Sequence, residues 1–142
     1  METLLETPRL VISYDEANDW LHLLWRGSHN PSDEKTCIME VLEKIRLTQA
    51  TRVLNDSTLD EDGWSELTYW IANDFMPQVA DAGVVAAAWV MPDNLQARID
   101  VHNVLVHVSR PLIDTFLDAE AAYKWLKTEP TAPDRVSEEP KE

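Results

Sequence analysis

The run Val84-Val-Ala-Ala-Ala-Trp-Val-Met91 constrains this chain more than any other segment. It is apolar throughout, so it has no polar face to turn toward water. It is far shorter than the ~20 apolar residues needed to span a membrane. A strand of this kind is stable when both of its faces are covered, as in a parallel strand held between helical layers. The segment therefore predicts an α/β domain in which it is a central parallel strand.

The flanking sequence supplies the alternation that such a domain needs. Arg9 to Tyr14 reads as a first strand, Asp15 to Asn18 as a polar turn, and Asp19 to Arg26 as a second strand. In the second, Trp20, His22 and Leu24 share one face by period two, and Leu21, Leu23 and Trp25 share the other. The two strands form a hairpin. Gly27 to Ser32 is a loop rich in turn formers. A helix starts near Asp33, with Ile38, Val41, Leu42 and Ile45 at helical spacing. Thr51 to Asn55 is a short segment that reads as a third strand. From Gly63 to Ala82, the residues Trp64, Leu67, Ile71, Phe75 and Val79 make one stripe of a long helix. Pro77 interrupts it and predicts a kink near Asn73 to Asp74, since proline removes a hydrogen bond and crowds the preceding turn. Ala82-Gly83 suits a C-terminal cap. Pro92-Asp-Asn94 opens the next helix, which reaches toward His107, although Val101, Val104, Val106 and Val108 also fit a strand. Leu112 to Phe116 is a last strand. Asp118 caps a final helix, Ala119 to Lys127, with Ala122 and Leu126 facing inward. The expected order is β-β-α-β-α-β-α-β-α, a single α/β domain with a mixed, mostly parallel sheet packed with helices.

The domain is expected to span residues 1–128. Residues 129–142 carry three prolines and no aromatic side chain, so a disordered acidic, Pro-rich tail is expected there. The chain has 142 residues and 44% hydrophobic content including six Trp, enough for one packed core without disulfides. Cys37 is the single cysteine and reads as a buried, inert thiol. A net charge of −14 disfavours nucleic acid and anionic lipid surfaces as partners. The N-terminal segment has no basic region of signal-peptide type, so a cytoplasmic location is expected.

Several chemistries are excluded by what is missing. Three glycines, Gly27, Gly63 and Gly83, cannot form a dinucleotide fingerprint or a P-loop. There is no Gly-x-Ser-x-Gly elbow. His102 and His107 stand about 140° apart on a helix, and His22 and His29 have no thiols nearby, so no metal site is expected. Asp60-Glu61-Asp62-Gly63 resembles part of a calcium loop, but placing Gly63 at the glycine position puts Tyr69 where a bidentate carboxylate must stand. No cofactor is expected. Trp64 and Trp70 lie roughly 120° apart on a helix, so both cannot point to one core centre. With Phe75 they define a candidate pocket.

The richest polar segment is the junction Arg52-Val-Leu-Asn-Asp-Ser-Thr-Leu-Asp-Glu-Asp-Gly-Trp64. Here a strand enters a loop before a helix, the place where α/β domains usually set functional groups. Asn55, Asp56, Asp60 and Asp62 read as a recognition loop. Asp62 or Gly63 as a helix N-cap accounts for part of the acidity, and Asx and Ser turns account for the rest.

The succession of elements resembles the STAS fold, together with its SpoIIAA-like and STAS/SEC14-type relatives. The resemblance rests on Arg52-Val-Leu-Asn-Asp56, Gly63-Trp64, Trp70-Ile-Ala-Asn-Asp-Phe-Met-Pro77, Val84 to Met91, and Thr115-Phe-Leu-Asp-Ala-Glu-Ala-Ala-Tyr-Lys-Trp-Leu126. It covers residues 8 to 127. STAS antagonists carry a phosphorylated Ser or Thr after the third strand, so the resemblance implies Ser57 and Thr58, beside Asp56, as regulatory sites. Gly63 comes only after Leu59-Asp-Glu-Asp62, which lengthens the loop and sets carboxylates where they repel a phosphate. The function implied is a protein-interaction or signalling module with a partner protein. The alternative is a binder of a small apolar ligand or lipid, held between the kinked helix and the sheet near Trp64, Trp70 and Phe75. An enzyme is disfavoured because no base is paired with Ser57 and the catalytic motifs are incomplete.

Overall fold

The computed structural model describes residues 1–28 and 30–130, with the backbone alone for 31 and 32. Its elements are β1 (Glu2–Glu6), β2 (Leu10–Asp15), β3 (Trp20–Gly27), α1 (Pro31–Thr48), β4 (Arg52–Asp60), α2 (Thr68–Trp70), a π turn (Ile71–Phe75), α3 (Met76–Asp81), β5 (Ala86–Val90), α4 (Leu95–Leu105), β6 (Leu112–Phe116) and α5 (Ala119–Lys127). One six-stranded sheet is ordered β1-β2-β3-β4-β5-β6. β1, β2 and β3 pair antiparallel, and β3 to β6 pair parallel. The molecule is an α/β domain with a mixed sheet, as the alternation of segments requires.

Most elements lie where their patterns place them. The hairpin closes with Asp15 opposite Trp20. β5 is buried along its whole length between β4 and β6, which answers to its unbroken apolar composition. Asn94 caps α4 by accepting from the Ala97 N–H, and Asp118 caps α5 by accepting from the Ala121 N–H. Gly83 sits at φ +115° after α3, where its N–H reaches the Ala80 carbonyl at 3.0 Å.

Three expectations are corrected. β1 is an additional edge strand. It pairs only with β2, and its mostly exposed side chains carry little periodic signal. β4 runs on to Asp60, because its continuation bonds β3 as far as Gly27 across a bulge. The helix after it starts at Thr68 rather than Gly63, so neither Asp62 nor Gly63 caps it. The helix expected after Pro92-Asp-Asn94 holds through its Val-rich part, with Val101 and Val104 buried and Val106 exposed at its C-cap. The helix α1 begins at Pro31, slightly before Asp33. The loop position of His29 and the tail over 131–142 lie outside the described residues.

The core has two layers. Toward α1, the π turn, α3 and α4, the sheet presents Leu10, Ile12, Leu21, Leu23, Trp25, Val53, Ala87 and Trp89. Toward α5 it presents Trp20, Leu54, Ala86, Ala88 and Val90, which pack on Ala122 and Leu126. The two faces of β3 separate as period two dictates. Among the described residues, no helix is long and apolar enough to cross a membrane.

Candidate functional site

The parallel strands β3 to β6 all end on one edge of the sheet, where the loops into α2 and α4 cross. This edge is where open α/β sheets place ligands. Its inner part is a buried ionic cluster. Arg9 precedes β2 and is sandwiched between the ends of β3 and β4. Its Nε and Nη2 donate to Glu34 Oε1 and Oε2 at 2.8 and 2.7 Å, a bidentate pair. Its Nη1 donates to Asp60 Oδ1 at 2.8 Å and to the Gly27 carbonyl at 3.1 Å. The guanidinium also lies over Trp25, 5.2 Å from the ring centroid. Glu34, in the first turn of α1, is 0% exposed and accepts a further bond from Trp64 Nε1 at 2.9 Å. Asp60 Oδ1 takes the Asp62 N–H at 3.1 Å, which turns the acidic loop back on the strand.

This cluster joins β2, β4, α1 and the loop before α2. Burial works against the Arg9 charge, but the hydrogen bonds to Glu34 and Asp60 outweigh it and hold the guanidinium above its ordinary pKa. Burial likewise pushes the Asp60 carboxyl up, with Arg9 pulling the other way. The groups are committed to one another, which makes them a clamp rather than free acid or base. Burial also raises the Cys37 thiol, which stands partly buried on α1. It is a poor nucleophile there.

The sequence-derived site residues separate. Asn55, Asp56, Ser57, Thr58 and Asp60 belong to β4, not to a loop, and of the recognition set only Asp62 lies beyond the strand. Asn55 faces the helices and accepts from Trp25 Nε1 at 2.7 Å. Asp56 faces the other way and folds onto Thr58, accepting from its N–H at 2.9 Å and its Oγ1 at 2.6 Å. Ser57 is 2% exposed, and its Oγ has no hydrogen-bond partner among the described residues. Its hydroxyl is closed to an enzyme in this conformation. Thr58 is half-buried.

The candidate pocket also divides. Trp64 and Phe75 line an internal cavity of about 50 Å³ between the sheet and the helices α1, π turn and α3. Trp70 does not line it. It stacks on Phe75 from outside, ring centroids 5.8 Å apart, with Lys35 Nζ 4.6 Å above its own ring. Trp25, Trp64 and Trp89 form a continuous edge-to-face array across the cavity, with centroids 6.3 and 5.8 Å apart.

Gly63 allows the loop to cross α4 closely: a Cβ there would sit 1.9 Å from Asp100 Oδ2. Asp100 is buried, and accepts from Ser65 Oγ at 2.9 Å and Gln96 Nε2 at 3.1 Å. Among the described residues, no group of three or more His, Cys, Asp and Glu side chains is placed to hold a metal ion. Sequence reading missed Arg9, Glu34, Asp100 and Trp89. Apart from Gln96, four residues before Asp100, their partners are distant in sequence, so no local spacing marks them as a site. No family model matches the chain, and no curated protein matches it.

Proposed function

We propose that this protein is a non-enzymatic, STAS-like protein-interaction module whose recognition surface is the edge where the parallel strands end. One observation carries this reading. Leu59 near the end of β4, Leu95 at the start of α4 and Leu117 just after β6 are all exposed, the last 78%, among the exposed carboxylates of Glu61, Asp93 and Asp118. Apolar anchors rimmed by one sign of charge suit a partner with an apolar patch ringed by Lys and Arg. The polar groups behind this surface are tied up in the Arg9 clamp, which leaves them to shape the edge rather than to react. The burial of Ser57 turns the reading away from a phosphate switch at that residue and leaves Thr58 as the more open hydroxyl.

The test is a pulldown from the cells that make the protein, comparing it with a Leu59→Ser/Leu95→Ser/Leu117→Ser variant. A specific partner should be retained by the first, lost by the second, and released by raised salt. Capture that survives all three substitutions would move the interface elsewhere, and absence of any partner would remove the module reading.

A second reading, binding of a small apolar ligand, is supported by the cavity beside Trp64 and Phe75. Its volume is a third of the ~150 Å³ that accommodates benzene in an engineered protein cavity, which favours a very small ligand over a lipid chain.

A further inference from the structure

Helix α4 has two apolar faces and buries only one of them. Ala97, Val101 and Val104 are buried. Leu95, Ile99 and Val106 are 72%, 43% and 58% exposed. At ~100° per residue these three lie within about 40° of one another and almost opposite the buried three. Single exposed apolar side chains are ordinary on a protein surface, but three in line along one helix make a seam. His102, also exposed, completes it. Positions 95, 99, 102 and 106 step by four, three and four, the spacing with which one helix packs on another. The charges around the seam are informative too. The chain carries a net charge of −14, yet residues 94–113 hold one carboxylate, Asp100, and it is buried. Acid stands at the N-terminal end of the helix. Asp93 and Glu61 are exposed there, the Glu61 carbonyl accepting from Asn94 Nδ2 at 3.2 Å, and exposed Glu66 shares a cleft with Gln96. At the C-terminal end His107 and Arg110 are exposed, and Arg110 meets Asp81 at 2.7 Å on the surface. The helix dipole favours this placement of charge, but it gives no reason for the apolar side chains between the ends to face water.

From this arrangement we propose that α4 is the contact of a symmetric homodimer, with the α4 of a second copy lying antiparallel on it. A two-fold axis makes the seam its own complement. One register sets Leu95 against Val106 of the second copy and Ile99 against His102 of the second copy. The same register brings Asp93 beside His107 of the second copy, so the acidic end of each helix meets the imidazole and guanidinium end of the other. Two chains of net charge −14 repel one another over most of their surfaces. Between its ends α4 offers a face on which no carboxylate is exposed. The helix has 11 residues and is about 16 Å long, too short to bury by itself the ~1,200 Å² of a stable interface. The association is therefore weak and reversible. This inference goes beyond the partner-binding reading above. Leu95 belongs to both surfaces, and the experiment leaves it untouched.

The test is sedimentation equilibrium of the full chain in ~150 mM salt, where net charge is screened beyond about 8 Å. Wild type should pass from monomer to dimer between about 10 μM and about 1 mM, the range of weak association. Ile99→Asp/Val106→Asp puts carboxylates into the seam from both copies and should weaken the dimer about tenfold or more. Both residues are exposed, so the urea midpoint of this variant should stay where it is in wild type. His107→Asp alone should weaken the dimer about threefold by facing Asp93, and adding Asp93→Lys should restore it. Monomer at every concentration would overturn the proposal, while capture of a partner through Leu59 and Leu117 would still stand. A dimer indifferent to Ile99→Asp/Val106→Asp would place the contact elsewhere and overturn it as well. Failure of Asp93→Lys to rescue His107→Asp would overturn the antiparallel pairing.

Discussion

β4 and β5 contribute to two cores at once, and the two differ in kind. Toward α5 they present Leu54, Ala86, Ala88 and Val90, a plain apolar layer in which small alanines let Ala122 and Leu126 come close. Toward the other helices the same strands present Val53, Asn55, Ala87 and Trp89, which meets Trp64 and through it Trp25, beside a cavity. The buried Arg9 clamp anchors the helices on that second side and not α5. The α5 layer adds to its packing a hydrogen bond from Arg52 Nη1 to the Leu126 carbonyl at 3.0 Å and one from Asn18 Nδ2 to the Tyr123 hydroxyl at 2.8 Å, both nearer the surface. The layer opposite holds polar groups at a cost that packing alone would not require. The lesson is that burial by itself does not mark function, whereas ion pairs buried in one layer, when among the described residues none is buried in the neighbouring layer, point to where the chain has been asked for something besides stability.

The comparison breaks most easily at the clamp. Glu34→Ala leaves Arg9 with half its partners and strands the Trp64 indole N–H, and should cost about 3–5 kcal/mol in urea unfolding. On the α5 side, Leu126→Ala removes only apolar volume and should cost about 3 kcal/mol. It should leave the fluorescence of the Trp25–Trp64–Trp89 array unchanged, and a change there would show that the two layers are coupled. Ser57→Ala deletes the orphaned hydroxyl and should raise stability by about 1 kcal/mol, read as a higher denaturation midpoint. A loss on that substitution would mean the hydroxyl has a partner when the protein is in solution. The smallest effect belongs to His22, on the face beyond α5. Burial lowers its pKa from 6.5, against the raising effect of Asp56 and Asp15. The unfolded chain therefore takes up the proton first, so this contribution to stability is complete above pH 6.5 and is lost as pH falls below it. His22→Gln should flatten that slope in unfolding curves taken at a series of pH values.

The sequence was most legible where period and packing agree. β6, α5 and the Asp118 cap fall on their expected residues because each needs only a local pattern. The step-of-four stripe Leu67, Ile71, Phe75, Val79 was harder. Four residues overshoot an ideal helical turn by about 40°, so three such steps would drift some 120° off one face. The wider π turn over Ile71–Phe75 absorbs part of that drift, and it contains Asn73 and Asp74, where a kink caused by Pro77 was anticipated. The stripe was correct and the helix type was not. The junction after β4 was misread for a different reason. Asp56, Ser57, Thr58 and Asp60 have the composition of a turn, yet pairing with β3 and the reach of Arg9 across the sheet hold them in a strand. Long-range pairing outweighs local propensity there, and no window of sequence around Ser57 contains Arg9.

The strand order carries its own consequence. Because the sheet reads β1 to β6 without a jump, each strand joins the edge that the previous one has just left open. No strand has to insert between two already paired. A chain emerging from the ribosome can lay down this sheet in a single direction, as a wall is built course by course, each course resting on a finished one. Such a sheet can stop growing at a natural seam, so a nascent chain ending after β5 would already hold the Arg9 clamp and the three tryptophans, and would lack α4, the outermost strand β6 and α5.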